Sequence, residues 1–156
     1  MVRIAAVDTP ETAKFGSEGQ KLGPAATEFA KSKLFQKKVS VKLLSRDQYG
    51  RVVGLVKYKE PKTGFFASIF GGEVEKDISE ELLRNGLGVV YRQGGAQYDG
   101  SIARWEEIEN IAVKNKKGIW VNGRDNADLP SDYKKAIKGK GEEVAKPAKV
   151  KVSSKK

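Results

Sequence analysis

Apolar positions along this chain fall into short blocks divided by glycine and proline. Residues 2–7, Val-Arg-Ile-Ala-Ala-Val, suit a strand that runs into an Asp8-Thr-Pro-Glu11 turn. Residues 12–22 are polar and glycine-containing and predict a loop. Gly23-Pro24 then opens a helix to about Phe35, with Pro24 suited to the first helical position and Ala25, Phe29 and Leu34 as its inward stripe. From 38 to 44, Val39, Val41 and Leu43 alternate with Lys38, Ser40 and Lys42, the period-two pattern of a half-buried strand. A turn at 46–51 leads to a returning strand at 52–58.

Residues 59–76 form an excursion holding Phe65, Phe66, Ile69 and Phe70, expected to fold back on its own domain. Asp77 and Glu80 are spaced as in a capping box at the start of a short helix, which Asn85-Gly86 ends. Residues 87–91 suggest another strand. Ile102, Trp105, Ile108 and Ala112 then mark one face of a helix stopped by Gly118. Beyond Trp120 the pattern dissolves into Lys, Gly, Ala and Pro, interrupted by Tyr133, and predicts a mostly disordered tail over 124–156. The expected organisation is one folded domain over 1–123 followed by that basic tail.

Composition narrows the chemistry more than it narrows the fold. The net charge of +10 comes from 30 basic and 20 acidic residues, 10 and 5 of them within 124–156. Such a field attracts polyanions, whether nucleic acid, an anionic membrane or an acidic protein. There is no cysteine and no histidine. Thiol nucleophiles, thiolate zinc sites and imidazole bases are therefore excluded. Any phosphodiester chemistry must rest on carboxylates, guanidinium groups and a hard, oxygen-bound metal. No apolar run approaches the roughly 20 residues of a bilayer-spanning helix, so a soluble chain without a signal peptide is expected.

Three segments in order, Arg3-Ile-Ala-Ala-Val-Asp8-Thr9-Pro10-Glu11, Asp47-Gln-Tyr-Gly-Arg51, and Leu83-Arg-Asn-Gly-Leu87 with the later Gly118-Ile-Trp120, resemble the signatures of the staphylococcal nuclease-like family. The spacing and the long first loop, with Ala13-Lys-Phe-Gly16, are closest to its eukaryotic membrane-associated branch. The resemblance implies an α+β fold, a five-stranded oligonucleotide-binding (OB-fold) barrel with three helices. It also implies two strands ahead of Val2 and a further calcium carboxylate between them, so the barrel is expected to lack its first two strands. Gln48 departs from the family pattern, in which a lysine is common at that position.

By the same resemblance Arg3 and Arg51 hold the phosphate and stabilise the transition state. Glu11 orients or deprotonates the attacking water, Asp8 and the Thr9 carbonyl ligate Ca2+, and Tyr49 and Tyr91 lie near the nucleotide. The implied activity is that of a calcium-dependent endonuclease acting on single-stranded or locally opened DNA and RNA, leaving 3′-phosphates. The alternatives are a non-catalytic binding module of the same fold and a basic interaction protein working through its tail. A monomer is expected, with the tail touching nucleic acid or an anionic membrane. A membrane-associated or mitochondrial setting follows only if an N-terminal segment precedes the chain.

Overall fold

The fold is that of a computed structural model, in which residues 1–14, 17–64 and 71–144 are described, with side chains through residue 139. The aromatic-rich stretch 65–70 and residues 15–16 lie outside the described residues. Strand β1 (Val2–Ile4) is followed by β2 (Val7–Asp8), helix α1 (Gly23–Leu34), and the hairpin β3 (Val39–Arg46) and β4 (Val52–Pro61). Then come β5 (Glu73–Asp77), α2 (Ile78–Arg84), β6 (Val89–Val90), α3 (Ile102–Lys114), a 3-10 turn (Gly118–Trp120) and α4 (Pro130–Val144). The class is α+β, as expected, but the barrel is not closed among the described residues. Instead β4 pairs with antiparallel β3, with parallel β1 at its start and with antiparallel β5 at its end, while β2 and β6 form a separate antiparallel pair.

The segment read as one strand over 2–7 is two strands in two sheets. It breaks at Ala5-Ala6, where Ala6 takes a left-handed φ of 63°. Three hydrogen bonds hold this corner. The Ala5 N–H donates to the Gly54 carbonyl, the Ser79 hydroxyl donates to the Ala5 carbonyl, and the Tyr91 N–H donates to the Ala6 carbonyl. Both alanines are buried with Val53, Leu55, Leu83, Val90, Trp105 and Ile108. A larger side chain would not fit this corner, which sets the angle between the residues before it and those after it.

β4 is buried on both faces. Val53 and Leu55 join the cluster around Trp105, while Val56 and Tyr58 pack with Ile78 and Leu82 and with half-buried Phe29 and Leu34. Ala26 faces inward on α1 where Ala25 was expected, because Ala25 is exposed. On β3 the expectation of a half-buried strand fails: Val39, Val41 and Leu43 are 41%, 36% and 66% exposed. β3 is an edge strand here, and a period-two pattern identifies an apolar face without saying what covers it. The capping box forms only in half. Asp77 accepts the Ser79 N–H, while the Glu80 carboxylate pairs with Arg84 and Arg104.

Glu60 on β4 is the ionic joint of this side of the molecule, pairing with Lys33 of α1 at 2.5 Å and with Lys76 of β5 at 3.0 Å. Hydrogen bonds from the two ammonium groups hold its carboxyl below the usual carboxylate range. A depressed folded-state value means that the stabilisation is present above the ordinary glutamate pKa of about 4.3 and is lost as the pH falls through the folded value. Glu60→Gln should therefore melt below wild type at pH 7, and the gap should close in acid. Parallel pH series of thermal melts check this, and a gap that persists in acid would contradict it.

Tertiary structure also replaces the expected disordered tail in part. Residues Pro130–Val144 form α4, and the chain leading into it packs Ala127 and Leu129 onto Ile119 and Trp120. The composition rule failed because this segment docks through a few apolar residues, Ala127, Leu129 and Pro130, together with well-placed polar contacts, and not through a continuous apolar stripe. Residues 145–156 lie outside the described residues.

Candidate active site

The parallel pairing of β1 with the start of β4 brings the two sequence-distant arginines together. Val2 lies opposite Val52 and Arg3 opposite Val53, so Arg51, one residue before β4, emerges beside Arg3. The hairpin turn between β3 and β4 completes the arrangement. Asp47 Oδ1 accepts the N–H groups of Tyr49 and Arg51 at 2.9 and 3.0 Å, and Gly50 supplies the positive φ of 76° that the turn needs. Asp47 Oδ2 accepts Arg51 Nε at 2.7 Å and lies 4.0 Å from an Arg3 terminal nitrogen. Its side chain is 8% exposed. Although burial opposes the charge, the hydrogen bonds from Arg51 and from the turn hold its carboxyl below the usual range. One carboxylate thus orients the Arg51 guanidinium by a hydrogen bond and lies at ion-pair distance from that of Arg3, a role that the sequence reading did not give to Asp47. Its signal was present, since Asp at the first position of a turn is a typical acceptor of backbone N–H groups.

Both tyrosines singled out in the sequence face these arginines. The Arg3 guanidinium lies 4.6 Å from the Tyr91 ring centre and that of Arg51 lies 5.3 Å from Tyr49. Arg3, Asp47, Tyr49 and Tyr91 line a shared cleft of about 350 Å³. Arg3 also lines a second cleft, of about 670 Å³, together with Asp8 and Thr9. It therefore joins the arginine–aromatic side of the site to the carboxylate side.

The carboxylates converge on one point. Lys134 of α4 places its Nζ 2.7 and 2.9 Å from the two Asp8 oxygens and 3.3 Å from Glu11 Oε1. Lys14 reaches Glu11 Oε2 at 3.3 Å. Burial opposes ionisation of Glu11, but its hydrogen bonds to the two lysines outweigh that and lower its pKa. Burial likewise opposes the Lys134 charge, and the Asp8 and Glu11 carboxylates outweigh it and raise the ammonium pKa. The Glu11 backbone is fixed from both sides. Its N–H donates to Gln20 Oε1 at 3.0 Å and its carbonyl accepts the Gln20 N–H at 2.8 Å. Gly23 passes so close that an added Cβ would stand 2.3 Å from the Glu11 carbonyl oxygen, which requires glycine there.

Buried Gln20 extends this network to the segment after residue 123, donating to the backbone and side-chain oxygens of Asp128 at 3.0 and 2.8 Å. The Tyr133 hydroxyl accepts the Gly19 N–H at 2.8 Å and bonds to the Ser17 hydroxyl. Gln20, Tyr133 and Lys134 were all missed as site residues. Apart from the Gln20–Glu11 bonds, the contacts named for them join residues more than a hundred apart in sequence, which no local pattern reports.

Asp8 and Glu11 already share one cation, so their spacing and direction suit another. Their hard oxygens match the donors that calcium prefers. Among the described residues no group of three acidic side chains assembles. Two carboxylates at one point are oxygen donors of the kind a hard cation takes, and further oxygen ligands would be needed to complete its shell.

The α+β fold thus carries two arginines around Asp47 and two carboxylates around Lys134, and Arg3 lines a cleft with each group. A profile of the family described as staphylococcal nuclease homologue matches residues 1–122. The chain belongs to that family. It is 41% identical over 133 residues to "Endonuclease Htp3" of Saprolegnia parasitica, covering 85% of this chain and 57% of that protein. It is 38% identical over 138 residues to "Probable endonuclease LCL3" of Komagataella phaffii, covering 88% and 55% respectively. The protein of the same name in Schizophyllum commune is 36% identical over 135 residues, covering 86% and 44%. The chain thus spans about half the length of the curated relatives it matches.

Proposed function

We propose that this chain is a calcium-dependent endonuclease that hydrolyses phosphodiester bonds of single-stranded or locally opened DNA and RNA, leaving 3′-phosphates. The observation that carries the proposal is the pairing of Arg3 and Arg51 through Asp47, with Arg3 also lining the cleft of Asp8 and Thr9. Guanidinium groups bind phosphate oxygens in bidentate fashion, and charge on those oxygens grows as water attacks phosphorus. Asp47 holds Arg51 by Nε and leaves its terminal nitrogens to face substrate. Glu11, ionised at neutral pH, accepts a hydrogen bond from the attacking water or takes its proton. The P–O5′ bond then breaks and the phosphate stays on the 3′ end. Tyr49, 74% exposed beside Arg51, gives a base a surface to stack on. Asp8, Thr9 and Glu11 are the residues that would hold calcium, which when bound acts as a Lewis acid toward the phosphate and lowers the pKa of a coordinated water. The names of the relatives quoted above support the endonuclease part of this reading.

Cleavage of single-stranded DNA is expected with calcium and is expected to vanish in EDTA. The product ends should block primer extension until a phosphatase removes the 3′-phosphate. Tight binding without cleavage in calcium, magnesium or manganese would instead favour a non-catalytic binding module, a second reading supported by the neutralisation of Asp8 and Glu11 by Lys134. Among the described residues no helix is long and apolar enough to cross a membrane.

A further inference from the structure

We propose that Lys134 is a tethered cation that competes with divalent metal for the Asp8–Glu11 pair, so that α4 must lift before the site is loaded. The proposal rests on the assignment of that pair as the metal-holding carboxylates. Its geometric basis is the position of Lys134 Nζ, within 2.7–3.3 Å of three oxygens from both carboxylates. The ammonium and a metal ion that uses those oxygens cannot occupy the same space.

The lysine is delivered, not merely nearby. Tyr133, the preceding residue on α4, bonds to Ser17 and to the Gly19 N–H, and Asp128 is clamped by Gln20. Ser17, Gly19 and Gln20 all belong to the loop that carries Glu11, and the Glu11 backbone is itself bonded to Gln20. α4 therefore docks on the element that positions the glutamate. Against this, the attachment is light. The apolar anchorage is confined to the start of α4, where Pro130 is buried behind Ala127 and Leu129; beyond it Ile137 is 41% exposed, and the Lys134 side chain is itself 39% exposed. A helix held by a handful of polar contacts opens more readily than one held by an apolar face. When it is docked, one ammonium is shared by the two carboxylates and Lys14 adds a second positive charge at Glu11, which offsets the repulsion that two unpaired anions would otherwise suffer.

The consequence is a reduced apparent metal affinity, since only the undocked population binds. If the docked form makes up about 90% or more of the protein, calcium affinity is weakened about tenfold or more. The test is calcium binding measured by isothermal titration calorimetry on the full chain, for wild type, Lys134→Met and Tyr133→Phe. Methionine keeps the apolar stem and removes the charge. Phenylalanine weakens docking and leaves the ammonium in place. Calcium should bind Lys134→Met about tenfold or more tighter than wild type, with Tyr133→Phe between them. In wild type, calcium should also accelerate amide exchange across residues 130–138.

Equal calcium affinity in all three proteins would overturn the proposal, as would unchanged exchange across 130–138 on saturation with calcium. The first of these outcomes would leave the nuclease assignment standing. Conversely, tighter binding by Lys134→Met with no cleavage by any variant would uphold the competition and overturn the nuclease assignment. Should Lys134→Met fail to fold, the comparison of Tyr133→Phe with wild type decides, and no gain in affinity there counts against the proposal.

Discussion

Arg51→Ala is expected to slow calcium-dependent cleavage of single-stranded DNA by about 100- to 1000-fold, a loss of about 2.7–4 kcal/mol of transition-state stabilisation by analogy with the removal of one preorganised oxyanion donor. The magnitude rests on preorganisation. Arg51 is fixed before substrate arrives, with its Nε on Asp47 at 2.7 Å and its own N–H on the same carboxylate at 3.0 Å. Stabilisation of developing charge by a group already in place requires no reorganisation at the moment of reaction. The loss should therefore fall on kcat more than on KM, because other basic residues still attract the polyanion. Arg51→Lys should recover little, since an ammonium lacks the fork that binds Asp47 and phosphate together. Single-turnover rates with excess enzyme test this directly. A rate within about threefold of wild type, a difference well under 1 kcal/mol, would remove Arg51 from the chemistry.

Trp105→Ala should be the most destabilising single change, costing about 3–5 kcal/mol. That corresponds to a drop in Tm of about 10 °C for a chain of this size. Trp105 is 1% exposed and sits among Ala5, Ala6, Val53, Leu55, Leu83, Val90 and Ile108, which come from five different parts of the chain. Its removal opens a cavity directly against the Ala5-Ala6 corner. That corner separates Arg3 on β1 from Asp8 on β2, so the arginine and carboxylate halves of the site should lose their relative placement as well. Trp105→Phe should cost much less. The indole Nε1 has no hydrogen-bond partner among the described residues, so phenylalanine leaves no acceptor orphaned. Thermal melts of the three proteins at neutral pH provide the comparison. A Tm for Trp105→Ala within about 2 °C of wild type, under ~1 kcal/mol, would contradict this account of the core.

How much of the fold was legible varied with how local its cause was. Helix α1 begins at Gly23-Pro24 as expected, and α3 buries Trp105, Ile108 and Ala112 as its periodicity predicts. Asp77 caps α2 because a short acidic side chain before a helix reaches the free N–H groups of its first turn. The β3–β4 hairpin was also plain, since its two runs and intervening turn are neighbours in sequence. The exposure of Val39, Val41 and Leu43 was not, because alternation records which side chains share a face and nothing about the cover over that face.

The site divides in the same way. Arg3, Asp8, Thr9, Glu11, Tyr49 and Arg51 could be singled out within the first two motifs, with Tyr91 added by resemblance outside them, and the absence of histidine and cysteine confined any phosphodiester chemistry to guanidinium groups, carboxylates and a hard metal. Those features belong to side-chain type and short spacing, which the sequence carries without reference to the fold. Tertiary structure alone decided that Asp47 serves both arginines, that one turn at Ala5-Ala6 splits an apparent strand between two sheets, and that Lys134 reaches back across 126 residues to Asp8. Each depends on a contact between distant segments, made only once the core around Trp105 has brought their backbones together.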